Sequence, residues 1–167
     1  MRFKAIIFDR DGVIINSEPI NLQSAVKAFK EQGITITEKE RKIIIGTHPV
    51  DYQDYFKEKH PDFNFEKYRQ YKKDLYLKGL ETAPLYQEII DLIKELNQKN
   101  SKLGLVTSSN QKGTEKILQR TGLTDIFQTI ITFETCEKRK PAPDCYLLAA
   151  NNLQVNPKDC LVLEDTA

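Results

Sequence analysis

Residues 5–19 read AIIFDRDGVIINSEP. Four apolar residues, Ala5 to Phe8, stop at Asp9, a pattern that suits a short buried strand better than a helix of several turns. Asp9 and Asp11 then flank an arginine, and Gly12 follows. Carboxylates crowded at the mouth of a strand repel each other and lose hydration, so they need a cation, a shared proton or open water. Each remedy implies a different protein.

Downstream, Leu22, Ala25, Val26 and Phe29 recur at three and four between Pro19 and Gln32, with Gly33 as a C-cap, so this stretch is expected to be an amphipathic helix. From Thr37 to Leu80 the pattern is helical, punctuated by GTHPVD and HPDFNF. Tyr52, Tyr55 and Phe56, then Tyr68, Tyr71 and Leu75, fall at helical spacing and are expected to form the core of a small all-helical subdomain rather than an aromatic ligand platform. After Pro84 the chain alternates: LYQEIIDLIKELNQK, KGTEKILQRTG and PDCYLLAANN read as helices, and KLGLVT, TIITF and CLVLE as strands. Strands alternating with helices imply an α/β fold with a parallel sheet. The expected division is a core of residues 1–15 and 82–167 interrupted by a helical insertion, 16–81.

The bulk numbers narrow the partners. With 25 Lys and Arg against 24 Asp and Glu in 167 residues, the net charge is +1, and no global field steers the chain toward nucleic acid or an anionic membrane. The lysines from Lys57 to Lys78 are interleaved with acids and carry no nucleic-acid reading. Cys136, Cys145 and Cys160 form no Cys-x-x-Cys pair and have no histidine nearby, which argues against disulfides or zinc and for a reducing, cytoplasmic setting. The apolar run near the Met-Arg-Phe-Lys start is too short for a signal-peptide core or a membrane span.

In open parallel sheets ligands bind at the carboxyl ends of the strands, so the residues leaving each strand matter most. The first strand ends in Asp9 and Asp11, the second in Thr107, Ser108 and Ser109, and the last in Glu164 and Asp165; Lys140 stands in KRKPAPD before the last helix. A calcium loop is excluded because Ile14 and Ile20 occupy its glycine and glutamate places, and the phosphate-cradling and dinucleotide glycine motifs are absent. Together these residues compose a phosphoryl-transfer site. Asp9 suits the nucleophile, Asp11 the acid and base, and Thr107 and Ser108 the phosphoryl oxygens. Lys140 supplies compensating charge, and Asp9 with Asp165 offers hard oxygen ligands for Mg²⁺. Of the run Lys138, Arg139 and Lys140, only Lys140 is placed in the site. Asp144 is read as a helix-start residue, and His60 as surface.

At these residues the chain resembles the haloacid dehalogenase-like hydrolase superfamily, in particular its helical-cap phosphatases and β-phosphoglucomutase-like members. FDRDGV is similar to their first motif, LGLVTSS to the second, KPAPDCYLLAA to the third and CLVLED to the fourth, in that order. The resemblance implies a Rossmann-like parallel-sheet core with an inserted α-helical cap, and a chain truncated at the C-terminus, since family members continue with a further loop, helix and strand. It implies a phosphoaspartate on Asp9, acid and base work by Asp11, and phosphate binding at Thr107 with Lys140. It also implies a Mg²⁺ site of Asp9, Asp165, the Asp11 carbonyl and neighbouring Glu164. Arg10 departs from the apolar residue that many capped members carry, and Asn16 from their aspartate. GTHPVD lacks the arginine with which the mutases grip a second phosphate; His48 and Pro49 stand there, with His48 a candidate substrate contact or, the favoured reading, a polar turn residue ahead of Pro49. The expected activity is a phosphatase acting on a small phosphorylated metabolite, such as a sugar phosphate. The alternatives are a phosphosugar mutase and a truncated protein that binds a phosphorylated ligand or a partner without turnover.

Overall fold

The computed structural model describes residues 3–138 and 140–165; Arg139 of the basic run and Met1 and Arg2 of the N-terminal stretch lie outside the described residues. The chain divides into two compact units, residues 1–16 with 84–167 and residues 17–83.

The first unit is a parallel sheet in the order β3-β2-β1-β4, with β1 Ala5–Phe8, β2 Lys102–Val106, β3 Thr129–Ile131 and β4 Cys160–Leu163. Every strand pair is parallel, and Ile7 stands opposite Gly104 on one side and Val162 on the other. All of β1 is buried, as its unbroken apolar run requires for a strand covered on both faces. The amphipathic α5 (Gln87–Gln98) buries Ile90, Ile93 and Leu96. Next comes α6 (Gln111–Thr121), capped by Asn110, whose side chain accepts from the Gly113 amide, and closed by Gly122 in the left-handed region. Last is α7 (Asp144–Asn152), which packs Ala149 and Leu153 against Ala5, Ile7, Val106 and Ile131. Gly104 permits this approach: a Cβ there would stand 3.2 Å from Thr129 and 3.3 Å from Leu153.

The expectation of unpaired cysteines is corrected here, because Cys136 and Cys145 form a disulfide and Cys160 alone is free. Cys136 lies in the loop after β3 and Cys145 in the first turn of α7, so the fold returns the chain on itself between them. Their spacing of nine residues carries no such signal.

The second unit holds α1 (Glu18–Lys30), α2 (Glu38–Ile44), α3 (Pro49–Lys59) and α4 (Phe65–Gly79). Thr37 and Glu40 form a capping box at the start of α2, His48 caps α3 ahead of Pro49, and Asn64 caps α4. Phe29 is the hub of the core, with ring centroids 4.3 Å from both Phe56 and Tyr68 and 5.1 Å from Phe63. Tyr52, Phe56 and Tyr68 are buried as the helical spacing predicts, but Tyr55 and Tyr71 are 38% and 39% exposed and Leu75 is only half-buried. On both helices the i and i+4 positions face inward and i+3 lies at the rim. The inward place after Tyr68 is therefore Lys72, whose ammonium donates to Asn21 Oδ1 at 2.7 Å. His60 is half-buried and stacks on Phe56 rather than standing free on the surface. Among the described residues no helix is long and apolar enough to cross a membrane.

Candidate active site

Asp9 follows β1 directly and continues its ladder, its amide donating to the Leu163 carbonyl at 2.9 Å. Its carboxylate is buried, and Lys140 reaches it from the loop before α7, where the Lys140–Pro141 peptide is cis. The Lys140 ammonium donates to Asp9 Oδ1 at 2.8 Å, to Glu164 Oε2 at 2.9 Å and to the Val106 carbonyl at 3.2 Å. It also lies 5.0 Å from the centroid of the Tyr146 ring, whose hydroxyl donates to the same Glu164 oxygen. Burial pushes the Asp9 carboxyl up to about 7; Asp11 and Glu164 act in the same sense, and Lys140 opposes them. For Lys140 burial works against the charge, but Asp9, Tyr146 and Glu164 outweigh it and hold the ammonium above its ordinary value.

Asp11 has a different cation. Arg10, fully buried, donates from Nη2 to Asp11 Oδ1 at 2.7 Å and from Nε to Oδ2 at 3.2 Å. The same Oδ2 accepts from the Thr107 hydroxyl at 3.1 Å and the Ser109 hydroxyl at 2.9 Å. Thr107 is held at the end of β2, its amide bonded to the Ile131 carbonyl and its hydroxyl accepting from the Ser109 amide. The question posed by the paired aspartates thus has two answers, Lys140 for Asp9 and Arg10 for Asp11.

Asp9, Glu164 and Asp165 each bring one carboxylate oxygen within 4.8 Å of the others. Gly12, at φ +77°, makes room for Asp165: a Cβ at that position would lie 1.9 Å from Asp165 Oδ2. Such hard, closely grouped oxygens fit Mg²⁺ by ligand type and spacing. A groove of about 330 Å³ opens onto Glu164 and Asp165, lined on its apolar side by Val13, Tyr86, Ile89 and Leu163.

Of the residues singled out from the sequence, Asp9, Asp11, Thr107, Lys140, Glu164 and Asp165 meet at the carboxyl ends of β1, β2 and β4. Ser108 is exposed beside Thr107. His48 belongs to the helical unit, where its Nδ1 accepts from the Val50 amide at 3.4 Å. Two further groups escaped the sequence reading, the Arg10 guanidinium and the Tyr146 hydroxyl; Ser109 stands among the strand-end residues named from the sequence, and the structure adds its bond to Asp11. The need for a cation beside paired carboxylates was a usable signal for Arg10. Nothing local to Tyr146 announces a bond to Glu164, 18 residues away. Chemically, the site offers a carboxylate nucleophile beside a fixed ammonium, a second carboxylate two residues on, a hydroxyl, and hard ligands for a cation. That combination serves transfer of an oxyanion such as a phosphoryl group.

The model of a known family, haloacid dehalogenase-like hydrolase, matches residues 6–167. The chain is 33% identical to a β-phosphoglucomutase of Bacillus subtilis, over 97% of this chain and 75% of that protein. It is 29% identical to a phosphorylated carbohydrates phosphatase of Thermotoga maritima, over 98% and 76% respectively. A solved hydrolase of the same family from Entamoeba histolytica superposes with a TM-score of 0.83 at 28% identity, covering 98% of this chain and 76% of that one.

Proposed function

The chain belongs to the haloacid dehalogenase-like hydrolases, as a phosphoric monoester hydrolase, and on that premise we propose that it is a Mg²⁺-dependent phosphatase of a small phosphorylated metabolite, of sugar-phosphate type, acting through a phosphoaspartate on Asp9. The observation that carries the reading is the Lys140 ammonium held between Asp9 and Glu164 at the strand ends. The phosphatase of Thermotoga maritima supports the substrate class by similarity.

In this mechanism an Asp9 carboxylate oxygen attacks phosphorus, and the bond from phosphorus to the ester oxygen breaks. Asp11 gives its proton to the leaving oxygen, then takes one from the water that attacks the phosphoaspartate, so the enzyme returns to its starting state. Thr107 holds a phosphoryl oxygen, and Lys140 balances the negative charge gathered around Asp9. Asp9, Glu164 and Asp165, with the Asp11 carbonyl, would hold Mg²⁺, which supplies electrostatic stabilisation of the transferred group.

Hydrolysis of a panel of small phosphate esters, with Mg²⁺ and with chelator, tests the reading beside Asp9→Asn. The expected outcome is activity that requires the metal, falls by roughly a thousandfold or more in the variant, and leaves a trapped phosphoryl mass on Asp9. Activity indifferent to Asp9 would sink it. Isomerisation of a hexose phosphate without phosphate release would replace it with the mutase.

A further inference from the structure

A buried arginine between two site aspartates is a costly choice for a strand exit, because an unpaired guanidinium in such a place destabilises the fold heavily. Arg10 is 0% exposed, and its side chain makes a set of directed contacts. Nε and Nη2 grip both oxygens of Asp11, Nη2 also donates to Ser109 Oγ at 2.6 Å, and Nη1 reaches Thr114 Oγ1 at 3.4 Å in the first turns of α6. Its main chain is fixed as well, since the Arg10 carbonyl accepts from the Ile14 and Ile15 amides. The guanidinium therefore ties a carboxylate that sits on a turn, 32% exposed, to the end of β2 and to α6.

We propose that Arg10 is a positioning residue whose guanidinium orients the Asp11 carboxylate toward the leaving oxygen. The inference rests on the phosphatase reading above and assigns a part to a side chain that takes no share in the bond changes. A planar fork can fix the plane of a carboxylate through two parallel bonds; a lysine in the same place supplies charge without that plane. The Ser109 hydroxyl completes the seating on Oδ2, and the Thr107 hydroxyl donates there until a phosphoryl oxygen claims it. Without the fork, Asp11 keeps its place in the chain and loses its aim.

The test separates aim from folding by leaving-group dependence. General-acid help matters most for an alkyl ester and least for p-nitrophenyl phosphate, whose leaving group departs without a proton. In Arg10→Leu, kcat/KM for glycerol phosphate is expected to fall about 100-fold, against less than about 5-fold for p-nitrophenyl phosphate; this ratio reports the steps through departure of the leaving group and not the later attack of water, which both esters share. Asp11→Asn should reproduce this split, and adding Arg10→Leu to it should cost less than about 3-fold more, because both changes remove the same function. Should the leucine variant fail to fold, Arg10→Lys is read instead, with an expected selective loss of about 10-fold. Equal losses on both esters, or losses that multiply in the double variant, overturn the proposal while an Asp9-dependent wild type leaves the phosphatase reading standing. A wild type that turns over no alkyl ester overturns the role of Arg10, and one that hydrolyses neither ester overturns both readings.

Discussion

Two buried carboxylates, one in each unit, are held in opposite ways. In the helical unit, Glu40 is 1% exposed, yet the Thr37 amide and hydroxyl, three residues away, satisfy one carboxylate oxygen and Lys59 the other at 2.6 Å. Its carboxyl is held down at about 2, because these bonds outweigh the burial that opposes them. In the sheet unit, Asp9 meets a lysine 131 residues away, and its carboxyl is pushed up to about 7 by burial that the lysine only partly offsets. A satisfied charge next to its own cap stabilises a helix start. Charges gathered across a sheet from distant segments, at one edge and near a groove, are an arrangement of the kind that chemistry needs.

The contrast can be broken most strongly at the aromatic hub. Phe56→Ala removes a fully buried ring packed on Phe29, Tyr52 and Phe63, and should destabilise the helical unit by about 3–5 kcal/mol. Urea denaturation with peptide-resolved hydrogen exchange would show the loss in residues 17–83; equal loss of protection in the sheet strands would mean that the two units fold as one. Smaller is the effect of reducing Cys136–Cys145, which brackets the loop carrying Lys140. Releasing so short a closed loop should cost about 2–3 kcal/mol, read as a lower urea midpoint. Thiol titration of the denatured protein should rise from one group, Cys160, to three on reduction, and three groups before reduction would show that the pair does not form.

The smallest effect expected sharpens the electrostatic side. Glu40, held at about 2 when folded and near 4.3 when unfolded, contributes stability that is fully present above about pH 5.5 and is lost as pH falls toward 2. Glu40→Gln should therefore destabilise the fold at neutral pH by roughly 1–2 kcal/mol, read as a lower urea midpoint. Wild type and variant should then converge in acid, and a difference that stays constant from pH 7 to pH 2 would show that the ion pair carries no linkage.

Much of the architecture was legible because it is written in short-range pattern. The run Ala5–Phe8, the three αβ alternations and the Pro49 and Gly122 punctuation lead to elements close to those observed. So, in outline, were the polar strand ends, since a parallel sheet brings its carboxyl edges together. Tyr55 and Tyr71 were misplaced because apolar spacing does not reveal which edge of a helical stripe turns inward. Lys72 was missed because a pattern search for apolar residues passes over a buried lysine, whose ammonium burial pulls down to about 8.

By itself, the sequence determined the kind of fold, its order of elements and the residue types available at each strand end, because helical and extended periods are local properties of the chain. The tertiary structure alone decided that Lys140 pairs with Asp9, that Ser109 bonds to Asp11 and Tyr146 to Glu164, and that Cys136 closes on Cys145. Those choices depend on strand order and side-chain reach between residues as far as 131 apart, which no window of local pattern encodes.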